Sequence, residues 1–194
     1  MPRYSCSVQY STTPSPDPRS WYRAGRHRCP VTWVHCRRGD TRRPRGALVI
    51  YLDTSAFLKL YVREAGSEFV QHCLESQDYP VPMPDILRCE FLNALRLKVY
   101  WNELDDSTVD RLLTLFDDRL LRGQYAVVEI DGSRRISDFR QLSAHTASLG
   151  CRTLDVLHVV TALQLSPDRF ISFDQRRRSL AAAAGLAVEP VTKS

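Results

Sequence analysis

Four acidic residues occupy positions where their carboxylates could bind a metal ion. Asp53 and Asp174 each directly follow a short apolar stretch, while Glu90 and Asp155 lie on the apolar stripes of predicted helices. Burying a lone carboxylate is costly, and convergence on one cation would explain all four acids together. Oxygen ligands without an accompanying His or Cys favour Mg²⁺ or Mn²⁺ over zinc. A cation held in this way can activate water, orient a phosphodiester and neutralise a leaving oxygen.

Each of these acids also has a purely structural interpretation. Asp53 or Asp174 can cap the helix that follows it, and Glu90 or Asp155 can pair with a nearby arginine. The four positions together favour the metal hypothesis. Two carboxylates about 4 Å apart repel each other by on the order of 4 kcal/mol at an effective dielectric constant of about 20. We therefore expect some of these acids to hold protons in the metal-free protein.

Short strands that alternate with helices should position these acids. Apolar, β-branched stretches predict strands at 48–52, 125–130 and 170–173, and prolines at 80, 82 and 84 predict a loop. Apolar side chains at helical spacing predict helices at 54–61, 69–74, 86–101, 105–121, 136–149, 153–165 and 176–184. The alternation predicts an α/β fold with a central parallel sheet flanked by helices. The acids that follow strands should meet at the carboxyl edge of that sheet.

Four short motifs carry a family resemblance. They lie at residues 52–56 (LDTSA), 89–94 (CEFLNA), 154–158 (LDVLH) and 172–174 (SFD). In this order and spacing they resemble the acidic motifs of PIN-domain nucleases, especially the VapC-like toxins, over about residues 49–192. The resemblance implies a PIN-like fold and a Mg²⁺- or Mn²⁺-dependent endoribonuclease, usually dimeric and often silenced by a cognate antitoxin.

The resemblance also implies roles for individual residues. The catalytic metal site would consist of four acids, namely Asp53, Glu90, Asp155 and Asp174. The hydroxyl groups of Thr54 and Ser172 would support them. These assignments rest on the positions of the residues within the matched motifs.

Other residues near the motifs allow two interpretations. Arg176, Arg177 and Arg178 follow Asp174 closely and could bind RNA phosphates, or they could form a solvated helix face. His158 lies on an apolar helix and could act as a catalytic base. We interpret it instead as a hydrogen-bonded core residue, because a metal-activated water needs no additional base.

The first 48 residues differ from the rest in charge. They hold ten Arg, no Lys and two Asp, a net charge of +8, so the remaining residues carry −3. Rich in Pro, Ser and Arg and without an apolar period, residues 1–48 are predicted to be a disordered basic extension of a PIN domain at 49–194. Their composition loosely resembles that of an organellar transit peptide. We favour the other explanation, in which the native protein starts near Val49 and these residues precede its true start. A domain of net charge −3 must attract RNA through local Arg patches and bound cations.

The cysteines and the hydropathy pattern predict the compartment. The six Cys form no C-x-x-C pair, and no apolar run approaches the roughly 18 residues needed to span a bilayer. We therefore expect reduced thiols, cytoplasmic localisation and no membrane partner.

Two other functions fit parts of this pattern. A non-catalytic RNA- or protein-binding module could keep the PIN fold, but it would not need four acids. A phosphatase with an aspartyl nucleophile is disfavoured, because Asp53 is followed by Thr54 and Ser55 and lacks a second Asp two residues on. The favoured hypothesis is an endoribonuclease toxin with an RNA substrate, a cognate antitoxin and a homodimeric assembly.

Overall fold

The computed structural model describes residues 48–75, 77 and 79–190. Its five strands are β1 (Ile50–Leu52), β2 (Val81–Pro84), β3 (Tyr125–Val128), β4 (Arg169–Ile171) and β5 (Val188–Glu189). Its eight α-helices are α1 (Thr54–Phe57), α2 (Ser67–Glu75), α3 (Asp85–Tyr100), α4 (Asp106–Leu121), α5 (Gly132–Leu142), α6 (Thr146–Leu149), α7 (Thr153–Leu165) and α8 (Gln175–Ala183). Short 3₁₀ turns at Leu58–Leu60 and Ser143–His145 follow α1 and α5. Residues 1–47 of the predicted basic extension lie outside the described ranges.

The strands form parallel pairs in the arrangement that the sequence predicts. β1 pairs with β4, β4 pairs with β5, and β2 pairs with β3, each in parallel. Leu52 is in register with Ile171, and the Asp53 amide donates to the Ile171 carbonyl at 3.1 Å. The residues that follow β1 and β4 therefore stand together at the carboxyl edge of the sheet. The predicted α/β class with a central parallel sheet flanked by helices is confirmed.

The proline-rich segment is a strand, so the predicted loop there is wrong. All four residues of β2 are buried, and the Val81 amide donates to the Gln124 carbonyl at 3.0 Å, on the β3 side. Backbone amides alternate in direction along a strand, so Pro82 and Pro84 lack their N–H groups on the opposite side, towards β1. This explains why β2 lies beside β1 without a hydrogen-bonded ladder between them.

Apolar side chains cover both faces of the sheet. Ile50 and Leu52 of β1 belong to a core cluster that includes residues of α1, α2, α3 and α4. Tyr51 points to the opposite face and packs in a second cluster with residues of α7 and α8. Because side chains alternate along a strand, β1 contributes to both clusters and is completely buried.

An aromatic group fills the first cluster. Phe57, Phe91 and Phe116 have ring centroids 4.9–6.2 Å apart, in the range of favourable aromatic pairs.

Within the described part of the chain, no helix is both long and apolar enough to cross a membrane. Cys73, Cys89 and Cys151 form no disulfide with one another.

Candidate active site

Three of the four predicted acids meet around one arginine. Asp53 follows β1, Glu90 lies in α3 and Asp155 lies in the first turn of α7. The guanidinium of Arg177, in α8, contacts all three: Nη1 lies 3.3 Å from Asp53 Oδ2, Nη2 lies 3.2 Å from Glu90 Oε1 and Nε lies 3.1 Å from Asp155 Oδ1. Four separate elements therefore bring three negative charges and one positive charge to one point.

Asp53 divides its two carboxylate oxygens between the fold and the cluster. Oδ1 caps α1 by accepting from the Ala56 amide at 2.9 Å, and it also accepts from the Ser55 hydroxyl at 2.7 Å. Oδ2 accepts from the Ser172 hydroxyl at 2.6 Å and from Arg177. The side chain has no exposed surface. The predicted supporting hydroxyl of Ser172 therefore contacts a site acid directly.

Asp155 shows the same division. Its Oδ2 accepts from the Arg152 backbone amide at 2.8 Å, where it satisfies a donor at the start of α7. Its Oδ1 faces Arg177. The pairing with an arginine that the sequence suggests for Asp155 is therefore present through one oxygen, whereas its capping role through the other oxygen was not anticipated.

Glu90 is held by a buried hydrogen-bonded chain. His158 Nε2 lies 2.7 Å from Glu90 Oε2, the Thr54 hydroxyl donates to the same oxygen, and His158 Nδ1 lies 2.7 Å from the Tyr51 hydroxyl. His158 is fully buried, in agreement with its interpretation as a hydrogen-bonded core residue. Sequence reasoning missed its contact with Glu90, although the two residues occupy adjacent motifs of the predicted site. The predicted supporting hydroxyl of Thr54 also contacts this acid.

The cluster keeps Glu90 ionised. Burial would raise the pKa of Glu90, but the hydrogen bonds from His158 and Thr54 and the charge of Arg177 lower it to about 2. Burial would likewise lower the pKa of Arg177, but the charges of Asp53 and Glu90 raise it. The expectation that some of the acids hold protons in the metal-free protein therefore does not apply to Glu90, because an internal cation offsets the repulsion there.

Asp174 lies at the same edge but outside this cluster. Its Oδ1 accepts from the Arg176 and Arg177 backbone amides at 2.9 and 3.0 Å, and so caps α8. Its own amide donates to Ser172 Oγ at 3.1 Å, and Ser172 contacts Asp53. The structure therefore connects Asp174 to the three acids through Ser172 and not through a shared contact with the guanidinium.

The three consecutive arginines have different environments. Arg176 is exposed, whereas Arg177 and Arg178 are buried. Arg178 donates to the backbone carbonyls of Ser172 and Pro190. For Arg177 and Arg178 the solvated-face interpretation is wrong, because both side chains are buried and bonded inside the protein, and their predicted RNA binding stays a prediction. The buried residue Leu180, three positions after Arg177, marks the inward stripe of α8 and could have revealed its orientation.

The donor set of the cluster suits a hard divalent cation. Asp53, Glu90 and Asp155 each direct one carboxylate oxygen towards a common centre, and oxygen donors of this kind suit Mg²⁺ or Mn²⁺. Arg177 occupies that centre as a stand-in cation. Within the described ranges, no three His, Cys, Asp or Glu side chains are arranged to hold a metal ion together as they stand.

The parallel α/β fold and the acidic cluster at the carboxyl edge of its sheet are the two features on which the class of this protein rests. The PIN domain family model matches residues 50–184, and the chain belongs to the PIN-domain family. It is 30% identical over 141 residues to ribonuclease VapC46 of Mycobacterium tuberculosis, covering 72% of this chain and 95% of that protein. The predicted resemblance to VapC-like PIN domains is thereby confirmed.

Solved structures show the same fold. FitAcB from Neisseria gonorrhoeae superposes with a TM-score of 0.54 at 19% identity, covering 72% of this chain and 96% of that chain. VapC20 of Mycobacterium tuberculosis, described as a sarcin-ricin loop cleaving toxin, gives a TM-score of 0.53 at 15% identity, covering 71% and 96%. At these identities the likeness extends to the fold alone.

Proposed function

We propose that this protein is a metal-dependent endoribonuclease that hydrolyses RNA phosphodiester bonds in the cytoplasm, as the toxin of a toxin-antitoxin pair. Its membership of the PIN-domain family and its likeness to a ribonuclease support the RNA substrate. The observation that carries the proposal is the convergence of Asp53, Glu90 and Asp155 on one positively charged centre. A toxin of this kind needs a cognate antitoxin to silence it, and we propose such a partner.

In this proposal the carboxylates hold Mg²⁺ or Mn²⁺. Asp53, Glu90 and Asp155 would provide the main ligands. Asp174, which lies at the same sheet edge outside their cluster, would provide a further carboxylate. The ion, when bound, supplies a water of lowered pKa and neutralises developing charge. The protein fixes the ligands beforehand: the Ser172 hydroxyl holds Asp53, and the Thr54 hydroxyl holds Glu90. Such second contacts orient metal ligands and reduce the cost of organising the site.

The RNA backbone would approach along the exposed start of α8. The residues after 48 carry a net charge of −3, so a global field does not attract a polyanion. Arg176 is exposed, and its backbone amide donates to Asp174 at 2.9 Å, so it lies at the start of α8 next to that acid. We therefore propose Arg176 as the phosphate-binding member of the arginine run.

Removal of the metal is expected to abolish RNA cleavage. Full-length protein incubated with RNA and Mn²⁺ should produce fragments, EDTA should stop their formation, and Mn²⁺ in excess over EDTA should restore it. The measurement is the rate of fragment formation on a denaturing gel, with mapping of the RNA ends. Cleavage that persists in EDTA would refute metal dependence. RNA binding without cleavage in Mn²⁺ would instead support the non-catalytic binding module.

A homodimer is expected to form through the apolar end of α3. Tyr100 and Trp101 are 79% and 56% exposed, and Leu97, one turn before Trp101, is 38% exposed. Aromatic side chains of this kind dominate interface energies, with losses of about 2 kcal/mol or more on truncation. We therefore propose a dimer in which this patch is buried.

Sedimentation velocity of the Trp101→Ser variant tests this assembly. The wild type should sediment as a dimer, and the variant, which lacks Trp101 in both protomers, should dissociate at a protein concentration higher by roughly 30-fold or more. Ile136→Ser is a matched control, because Ile136 is 74% exposed but lies on α5. Equal dissociation of both variants, or a monomeric wild type, would contradict the proposed interface.

A further inference from the structure

Arg177 holds the position that a metal ion would need. We infer that Arg177 and a divalent cation compete for the same three carboxylate oxygens, so that Arg177 is a built-in counter-ion that limits the metal affinity of the site. This inference rests on the proposed function, since it concerns the metal that the acids are proposed to bind. It adds a role for a residue that the sequence interpretation assigned to RNA.

The division of the carboxylate oxygens carries the argument. The outer oxygens, Asp53 Oδ1, Asp155 Oδ2 and Glu90 Oε2, already accept from helix-start amides or from side chains of neighbouring elements. The inner oxygens, Asp53 Oδ2, Asp155 Oδ1 and Glu90 Oε1, all accept from Arg177, and Asp53 Oδ2 accepts from the Ser172 hydroxyl as well. A cation that binds all three acids without breaking their structural contacts must therefore use the oxygens that Arg177 occupies.

The charge and burial of Arg177 make simultaneous binding unfavourable. Its side chain is only 9% exposed, so its positive charge is poorly screened by solvent. A divalent ion among the same oxygens would lie within a few ångströms of the guanidinium and be repelled by it. The backbone amide of Arg177 is bonded to the Asp174 carboxylate, so its Cα is held and only the side chain is free to withdraw. Metal entry thus requires the guanidinium to leave its three partners.

The Mn²⁺ affinity of full-length variants tests the competition. Isothermal titration with Mn²⁺ should show binding to Arg177→Gln that is about tenfold tighter, or more, than binding to the wild type, because the internal competitor is gone. Arg177→Lys should lie between them, since lysine keeps the charge but cannot bridge three carboxylates with one planar group. Arg111→Gln removes the same charge from an exposed position on α4, where the guanidinium contacts Ser107 and Thr108, and should change the affinity less than about twofold.

The stability of the variants provides a second measurement. Arg177→Gln leaves three carboxylates without their shared cation, so its metal-free form should unfold at a lower temperature, and Mn²⁺ should raise its Tm more than it raises that of the wild type. Mn²⁺-dependent folding of this variant would also support the competition. Affinities of Arg177→Gln and Arg177→Lys that equal or fall below that of the wild type would overturn it.

The two proposals fail in different measurements. If the wild type cuts RNA only with Mn²⁺ and neither Arg177 variant binds Mn²⁺ more tightly, the ribonuclease proposal stands and the competition is refuted. If the wild type cuts no RNA but both variants bind Mn²⁺ more tightly, the competition stands and the ribonuclease proposal is refuted.

Discussion

The Asp53→Asn variant is expected to lose RNA cleavage by a factor of about 10² or more, because it removes a negatively charged oxygen from the centre of the proposed metal site. The amide keeps the size of the side chain and can still accept from the Ala56 amide, so the cap of α1 survives. The lost contacts to Ser172 and Arg177 should lower the free energy of unfolding by about 1–3 kcal/mol. Initial cleavage rates and urea unfolding of the same preparation measure both effects.

Asp105→Asn separates the capping role of an aspartate from its proposed catalytic role. Asp105 caps α4 by accepting from the Thr108 amide and the Ser107 hydroxyl, just as Asp53 accepts from Ala56 and Ser55. It is exposed and makes no contact with Arg177. Asp105→Asn should therefore leave cleavage unchanged. If Asp53→Asn also keeps its cleavage rate while it loses stability, Asp53 is a helix cap and its assignment to the catalytic metal site fails.

The fold could be predicted because local patterns agree with the tertiary structure. The apolar stretches at β1, β3 and β4 are short and contain β-branched residues, and they are separated along the chain by helices with apolar stripes. β1 is completely buried, whereas β3 and β4 are buried in part. Parallel pairing then follows from the order of the elements, since parallel strands need a long connection. The same reasoning places Asp53 and Asp174 at one sheet edge.

Two strands could not be predicted, because their own sequences show no strand pattern and they form only by pairing with strands that are distant in sequence. The prolines of β2 normally exclude a strand, and they are tolerated here because the side that lacks N–H groups faces β1, where there is no ladder. β5 has only two residues, Val188 and Glu189, too few to show an alternating pattern. Both cases are decided by pairing partners that are distant in sequence.

The role of Arg177 was also hidden from local patterns. Sequence spacing placed it in a run of three arginines, whose members the helix turns in different directions. The spacing from Leu180 points Arg177 inward, and the packing of α8 against α7 shows that its guanidinium enters the site. The predicted cluster of acids nevertheless implies that a positively charged residue lies nearby, because buried carboxylates require a counter-charge whether or not a metal is bound.

Stability at low pH is expected to depend on Glu90. The pKa of this carboxyl is lowered from 4.5 to about 2 in the folded protein. A group whose folded pKa lies below its unfolded pKa contributes stability above the unfolded value, and this contribution is lost as the pH falls through the folded value. The full shift corresponds to about 3 kcal/mol, and we expect about 2 kcal/mol after allowing for partial solvent screening. The contribution should be complete above about pH 5 and disappear towards about pH 2.

Glu90→Gln tests this expectation because glutamine does not titrate. Urea unfolding should show the wild type more stable than the variant near about pH 6, with most of the gap of about 2 kcal/mol gone near about pH 3. Glu68→Gln is the control: Glu68 pairs with Arg63 on the surface, both side chains are at least 85% exposed, and such pairs contribute little. The gap between wild type and Glu68→Gln should therefore stay small and constant. A Glu90→Gln gap that does not change with pH would show that the Thr54, His158 and Arg177 contacts do not favour the ionised carboxylate.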